Sequence, residues 1–368
     1  APSFRRRQWQ RLCWMPRPPF GALTIVVGLA VLAATPVLQL LSFGYMLELS
    51  GRISRSGRLR DGFIGLEKGA RIGSVVLGVW LMLLPLRALS SFVVAARIIA
   101  PEAQPAKTLG FLLKVLSCLA LLHIFFVISD GGRLRSFFWP FGAARRFFQR
   151  LRAGGLYQEL RDGVWDFAVG LRLPFFFSLG LRGLIGTMAW LLLPTLLLAI
   201  GAKAPPLGLL GGLLLAIASL YLPFAQAQFA QQNRLRSLFA LGTIRSSYRR
   251  APIAFFVALG STLSLALPLY LLKIEAVPRE ASWLPSLFFI AFMLPARFAV
   301  GWALGRANHR DDDAHFVLRW PPRLAMLPLV GFYALVVFFS QYISWEGTAS
   351  LFGQHAFLVP VPFLRFPG

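Results

Sequence analysis

Gly21 to Met46 is an unbroken apolar run, and arginine clusters flank it on both sides. The run "GALTIVVGLAVLAATPVLQLLSFGYM" follows Arg5, Arg6, Arg7, Arg11 and Arg17 and precedes Arg52, Arg55, Arg58, Arg60, Lys68 and Arg71. About twenty apolar residues cross the roughly 30 Å hydrocarbon core as a helix. Seven more apolar units follow, at approximately Ser74–Ala96, Leu109–Ser129, Leu181–Ile200, Leu207–Ala230, Pro252–Leu272, Trp283–Gly305 and Leu324–Ser344. The expected fold is therefore all-α, a multi-pass membrane bundle of seven or eight segments. No polar stretch is long enough for a separate soluble domain, so residues 1–368 read as one polytopic membrane domain.

Composition agrees and removes one rival. The chain is 57% hydrophobic and 14% charged, whereas a soluble domain carries nearer a quarter charged residues. A net charge of +24 would point to nucleic acid in a soluble protein. Here the basic residues fall between apolar segments, so no nucleic-acid partner is expected. Arginine far outnumbers lysine, which fits a GC-rich bacterial genome. Cys13 and Cys118 are isolated, which suggests neither a disulfide framework nor a zinc site.

Basic loops stay on the cytoplasmic side of a membrane. The connections after the first, third, fifth and seventh units are arginine-rich, and the alternate connections hold few basic residues. The basic amphipathic tail, residues 1–20, conflicts with a single crossing by Gly21–Met46, because it too should be cytoplasmic. Pro36 offers a resolution, since proline removes a backbone donor and biases Thr35 away from helical geometry. A re-entrant hairpin broken at Pro36, with limbs of about a dozen residues, each roughly 18 to 20 Å long, leaves both clusters on one side. The alternatives are a kinked first helix with an external tail, or a signal peptide ending near "LAAT". Residues 345–368 would form an external C-terminal tail. Gly51–Ala103 and Gln231–Ala281 share an order of basic loop, span ending in "LPL" and short loop with Pro and Glu. This suggests an internal repeat matching Pro85 with Pro268 and Pro36 with Pro223.

"FGYMLE", "GGRLRSFFWPF", "VWDFAVGLRLPFFFSLGLRG" and "FAQAQFAQQNRLRSLFALG" together resemble an uncharacterised family of bacterial polytopic inner-membrane proteins of unknown function. The resemblance spans most of the chain. It implies a bacterial cytoplasmic (inner) membrane location and this loop pattern, and it carries no activity to any residue.

Within the basic loop at residues 130–172, a helix from Gly142 to Arg152 gathers Phe147, Phe148 and Leu151 on one side and Arg145, Gln149 and Arg152 on another. With Arg146 and Arg150 it reads as an interfacial helix facing anionic lipid, where each arginine adds about 1 kcal/mol. Ordinary anchoring is the simpler role. Arg87, Lys114 and Arg297 lie inside apolar spans, where a charge costs at least about 2.5 kcal/mol. They are candidate anion or lipid contacts. Carbonyls freed near Pro85 and Pro295, lipid phosphates or an anionic ligand would satisfy them, and Lys114 is best placed to reach a phosphate at the membrane surface.

Coupled pumps and membrane enzymes find little support. No paired carboxylates lie within a span, and His123 reads as a structural, hydrogen-bonded residue. "NHRDDDAHF" reads as a solvated loop rather than a metal site, and no P-loop, HExxH or GxSxG occurs. Gly208 with Gly212, and Gly301 with Gly305, mark close helix packing. The reading is a non-enzymatic structural or accessory component without cofactor or metal, binding membrane lipids or partner membrane subunits. The alternative is a carrier or channel for an anionic lipid or small anion, and a membrane enzyme comes third.

Overall fold

A computed structural model describes residues 17–100, 103–271 and 283–343, and residues 347, 351, 355, 358 and 359 of the C-terminal stretch. The helices are α1 (Arg17–Ala34), α2 (Gln39–Ser56), α3 (Leu66–Ile99), α4 (Gln104–Ser129), α5 (Pro140–Ala153), α6 (Leu156–Gly170), α7 (Leu173–Gly201), α8 (Pro205–Gln232), α9 (Leu241–Arg250), α10 (Pro252–Leu271), α11 (Trp283–Asn308) and α12 (Phe316–Ile343). Short helical turns at Leu59–Gly62, Leu134–Phe137 and Leu235–Phe239 punctuate them. The described residues contain no strand. Six helical segments are long and apolar enough to cross a membrane, and α1 and α10 supply shorter apolar helices. The chain is a multi-pass helical membrane protein. Among the described residues, each of the eight apolar units expected from sequence is helical, the first in two pieces.

The first unit breaks at Pro36. Helix α1 stops at Ala34 and α2 starts at Gln39, with Val37 between them at φ 68. Each limb has 18 residues rather than a dozen, or about 27 Å, because α1 begins earlier and α2 continues through polar residues to Ser56. Turn hydrogen bonds from Thr35, Leu38 and Gln39 amides occupy backbone groups at the break. Gly21 of α1 packs against Leu66, so the chain returns to the start of α1 after passing through α2. Pro223, the residue matched to Pro36 by the suggested repeat, lies inside the continuous helix α8. It is buried there, whereas Pro36 is exposed.

Where the sequence reads as one domain, contacts group the chain into two compact units. One comprises residues up to Ile25 with Gly65–Leu171, and the other Val26–Ile64 with Arg172–Gly368. In the first, α3 and α4 form a hairpin with α5 against it. Its core is Phe126, Val127, Phe137 and Ala143, joined by Val79, Met82 and Phe147.

The second unit is built around α2, whose side is packed by α7, α8 and α11, with α10 and α12 completing the bundle. Fourteen of the 18 residues of α2 are buried, although many of them are polar. Its neighbours come close because glycines face each other. A Cβ on Gly44 would lie 1.8 Å from the Phe176 carbonyl oxygen, and one on Gly180 would lie 2.0 Å from that of Leu40. Gly301 and Gly305 of α11 pack on Ser50, Ile53 and Gly57, and Gly208 packs on Gly201. Of the glycines paired in the sequence, Gly301, Gly305 and Gly208 thus serve packing inside the protein, whereas Gly212 only touches Leu198 at 4.0 Å. The C-terminal stretch, expected as a tail, places His355 and Leu358 in this unit's interior.

Gly44→Leu should destabilise the protein by about 3 kcal/mol or more, since neither facing backbone can yield to a side chain. Gly28→Ala, at an α1 position with open space around it, should instead stabilise by roughly 0.5 to 1 kcal/mol through helix propensity. Thermal unfolding in detergent distinguishes them, and equal midpoints would refute the backbone-contact account.

Candidate functional site

Arg297 sits near the middle of α11 and is 4% exposed. Hydrocarbon offers no partner for a guanidinium, so a cation at this depth must be held by the protein. Its Nη1 donates to Gln226 Oε1 on α8 at 2.6 Å, and its guanidinium lies 5.6 Å from the centre of the Phe43 ring on α2. Gln226 is itself fully engaged. Its Nε2 donates to Thr187 Oγ1 on α7 at 2.6 Å and to the Leu358 carbonyl at 2.7 Å. One arginine and one amide thereby connect α11, α8, α7 and the C-terminal stretch through polar contacts.

A second buried chain lies in the same unit. His355 Nε2 is 3.2 Å from Thr195 Oγ1, and Tyr333 Oη is 3.0 Å from His355 Nδ1. Gln341 is buried with neither amide atom hydrogen-bonded, and Ser219 Oγ and Gln228 Oε1 are also buried without partners among the described residues. These are the polar groups of the interior that an incoming ligand or water could meet.

Arg87 and Lys114 are in a different setting. Both are exposed on the α3–α4 hairpin of the first unit, and neither has a side-chain partner among the described residues. Arg87 makes no bond to the carbonyls near Pro85. At 1.5 Å per residue, Arg87 lies about 18 Å from the α3 end and Lys114 about 15 Å from the α4 start. The two cations therefore sit at matching depth below the 100–103 connection. The hairpin around them is poorly covered, with 11% of the most apolar window buried in α3 and 17% in α4.

Helix α5 is amphipathic as expected, but its arginines divide. Arg146 Nη2 and Arg150 Nη2 bind the two oxygens of Asp130 at 2.6 and 3.2 Å. Hydrogen bonding to that carboxylate raises the Arg146 pKa further above its ordinary value. Arg145 and Arg152 remain exposed and unpaired. On the apolar side, Phe147 packs on Phe125 and Phe126, while Phe148 and Leu151 are each 52% exposed. The helix is thus fastened to α4 by one pair of arginines and presents the other pair outward. The basic tail before Arg17 lies outside the described residues.

Other sequence candidates take structural roles. His123 Nε2 bonds the Phe137 carbonyl at 3.1 Å, in line with a hydrogen-bonded structural histidine. Asp313 pairs with Arg319 at 3.3 Å and Arg249 at 3.8 Å, and His309 Nδ1 bonds the Gly305 carbonyl. Gln226, Thr187, Thr195, Tyr333 and His355 were not singled out by sequence. Glutamine and threonine are common enough in helices that only their convergence reveals them.

Gln226→Leu should cost about 1.5 to 3 kcal/mol, the usual range for a hydrogen bond to a charged group. Adding Arg297→Met should recover part of the loss, because a buried cation deprived of its acceptor is worse than an apolar side chain. A double-mutant cycle by thermal unfolding measures the coupling, and strict additivity would show that the two side chains do not interact.

No protein-family model matches the chain, and no curated protein or solved structure matches it.

Proposed function

We propose that this chain is a non-enzymatic structural or accessory component of a bacterial cytoplasmic membrane, holding partner membrane subunits and anionic lipids. The observation that carries the reading is the α3–α4 hairpin. Its helices have 34 and 26 residues yet bury only a small fraction of their apolar surface, and they carry Arg87 and Lys114 without side-chain partners among the described residues. An exposed cation at mid-depth is costly in lipid alone, and a partner helix bearing a hydrogen-bond acceptor or carboxylate would offset that cost. Lys114 can extend toward the surface, because side chains lean toward the helix N-terminus and α4 starts at the 100–103 connection. Arg87 leans the other way, deeper along α3. It is the residue that most needs a partner.

A second reading is a carrier or channel for an anionic lipid or small anion. Arg297, a buried cation held by the Gln226 amide, favours it. Its fixed bonds to Gln226 favour a locked core over a moving site. The uncharacterised polytopic family that the sequence resembles is compatible with either reading.

Arg87→Gln should leave thermal stability nearly unchanged, since the exposed Arg87 side chain makes no hydrogen bond or ion pair with the described residues, and should strip copurifying membrane proteins from the gently extracted complex. Native mass spectrometry checks both. Intact partner retention in Arg87→Gln would remove the support for the partner reading, and loss of anion transport in Arg297→Lys with normal stability would favour the carrier.

A further inference from the structure

One heptapeptide occurs three times: "GRLRDGF" at 57–63, "GRLRSFF" at 132–138 and "NRLRSLF" at 233–239. The three copies adopt one backbone. The first residue lies in the left-handed region, with φ 69 at Gly57, 67 at Gly132 and 55 at Asn233; Gly57 and Asn233 cap α2 and α8 directly, and Gly132 follows the Asp130 cap of α4 by two residues. Glycine and asparagine tolerate that region best. The following arginine is extended at Arg58, Arg133 and Arg234. A short helical turn then begins, closed by amide bonds from Asp61, Ser136 and Ser237 back to that arginine's carbonyl at 3.2, 2.8 and 3.0 Å.

Each copy is pinned to its own unit. The sixth residue of each heptapeptide is buried, as Gly62, Phe137 or Leu238. Phe137 fills the notch at Gly78 and Leu238 the notch at Gly186, while Gly62 in turn receives Ile53 and Phe298. A side chain from a long helix also binds a carbonyl of the second and third segments and of the residue that follows the first. Tyr45 Oη donates to Ile64, His123 Nε2 to Phe137 and Trp190 Nε1 to Leu238, at 3.0, 3.1 and 3.2 Å.

What the pinned turns present outward is the same each time. Arg58 and Arg60, Arg133 and Arg135, and Arg234 and Arg236 are all exposed. None of the six has a side-chain partner among the described residues. Nearby arginines are treated differently. Arg52 and Arg55 bind Glu48, and Arg146 and Arg150 bind Asp130. Beside the unpaired guanidiniums stand apolar side chains turned to the outside: Leu59 and Phe63, each 48% exposed, Phe138 at 67%, and Leu235 and Phe239 at 40% and 52%. Paired guanidiniums suit the oxygens of a phosphate, and exposed Leu and Phe suit the acyl boundary beneath it.

We propose that each of these three turns binds the phosphate of an anionic lipid headgroup, through its two outward arginines, with the adjacent leucine or phenylalanine entering the acyl boundary. The proposal rests on the lipid-holding part of the proposed function and is independent of the partner at Arg87. All three copies follow helices whose connections are the basic ones, so they meet the same leaflet under the charge rule. Because the turns are held by buried side chains, their arginines are displayed without ordering a loop upon binding. Asp61 in the first copy is an exposed carboxylate beside its arginines, so that site should be the weakest of the three.

The test titrates phosphatidylglycerol against phosphatidylcholine into the purified full chain, read by native mass spectrometry. Variants are Arg133→Gln with Arg135→Gln, and Arg234→Gln with Arg236→Gln. Each pair should weaken phosphatidylglycerol retention by about 30-fold at the affected site, the equivalent of two surface arginines, and leave phosphatidylcholine unaffected. Arg306→Gln with Arg323→Gln removes two exposed arginines that lie over Trp302 and Trp320, and should change little. If a glutamine pair fails to fold, the corresponding lysine pair keeps the charge and loses the planar donor fork, and should bind phosphatidylglycerol more weakly than the parent. Unchanged retention in the turn variants, or an equal loss in the Arg306 and Arg323 control, overturns the proposal. Displacement of bound lipid by millimolar inorganic phosphate would assign the turns to a free anion and overturn the lipid assignment.

Discussion

Close backbone contact along α2 is the constraint on which the second unit depends. Gly44 against Gly180, Gly51 against Ala230, and Gly301 and Gly305 against Ser50 and Ile53 bring four helices together at distances that no side chain could share. Lipid tails are as apolar as leucine, so helices in a membrane gain little from burying apolar surface against each other. Close packing and polar contacts must supply the association instead. Both converge on α2 and its neighbours, which explains why a helix containing Gln39, Ser42, Glu48, Ser50 and Ser54 can be buried almost along its whole length.

The polar contacts are placed where that packing leaves room. At the C-terminal end of α2, Glu48 is 5% exposed and is bound by Arg52 and Arg55, each at 2.9 Å. Arg55 also donates to the Ala230 and Gln231 carbonyls, satisfying acceptors that the end of α8 leaves open. Asn308 at the end of α11 joins Ser54 and Gln231 in the same junction. Deeper in the unit, Arg297 and Gln226 repeat the logic with a charge and an amide. These groups hold helices in register, and their saturation by each other distinguishes them from the unpaired arginines elsewhere.

The first unit follows a different design. Its core is small, gathered around Phe126, Phe137 and Phe147 at one end of the α3–α4 hairpin, and most of the hairpin's apolar surface is left for the surroundings.

The sequence by itself determined the membrane class, the eight apolar helices and the break at Pro36, because each follows from local hydropathy or from proline's missing amide. It also flagged Arg297 and Arg87 as costly charges and located the glycine pairs. It could not rank those charges, since one is enclosed by Gln226 and Phe43 and the other faces outward, a difference set by which helices are neighbours. The α5 arginines looked equivalent until Asp130, distant in sequence, claimed two of them. His355 lay in what read as a tail, and only folding brings it to Thr195 and Tyr333. Periodicity and composition act over a few turns of helix. The partners of a buried polar group are chosen by packing between segments far apart in the chain, and that choice belongs to the tertiary structure.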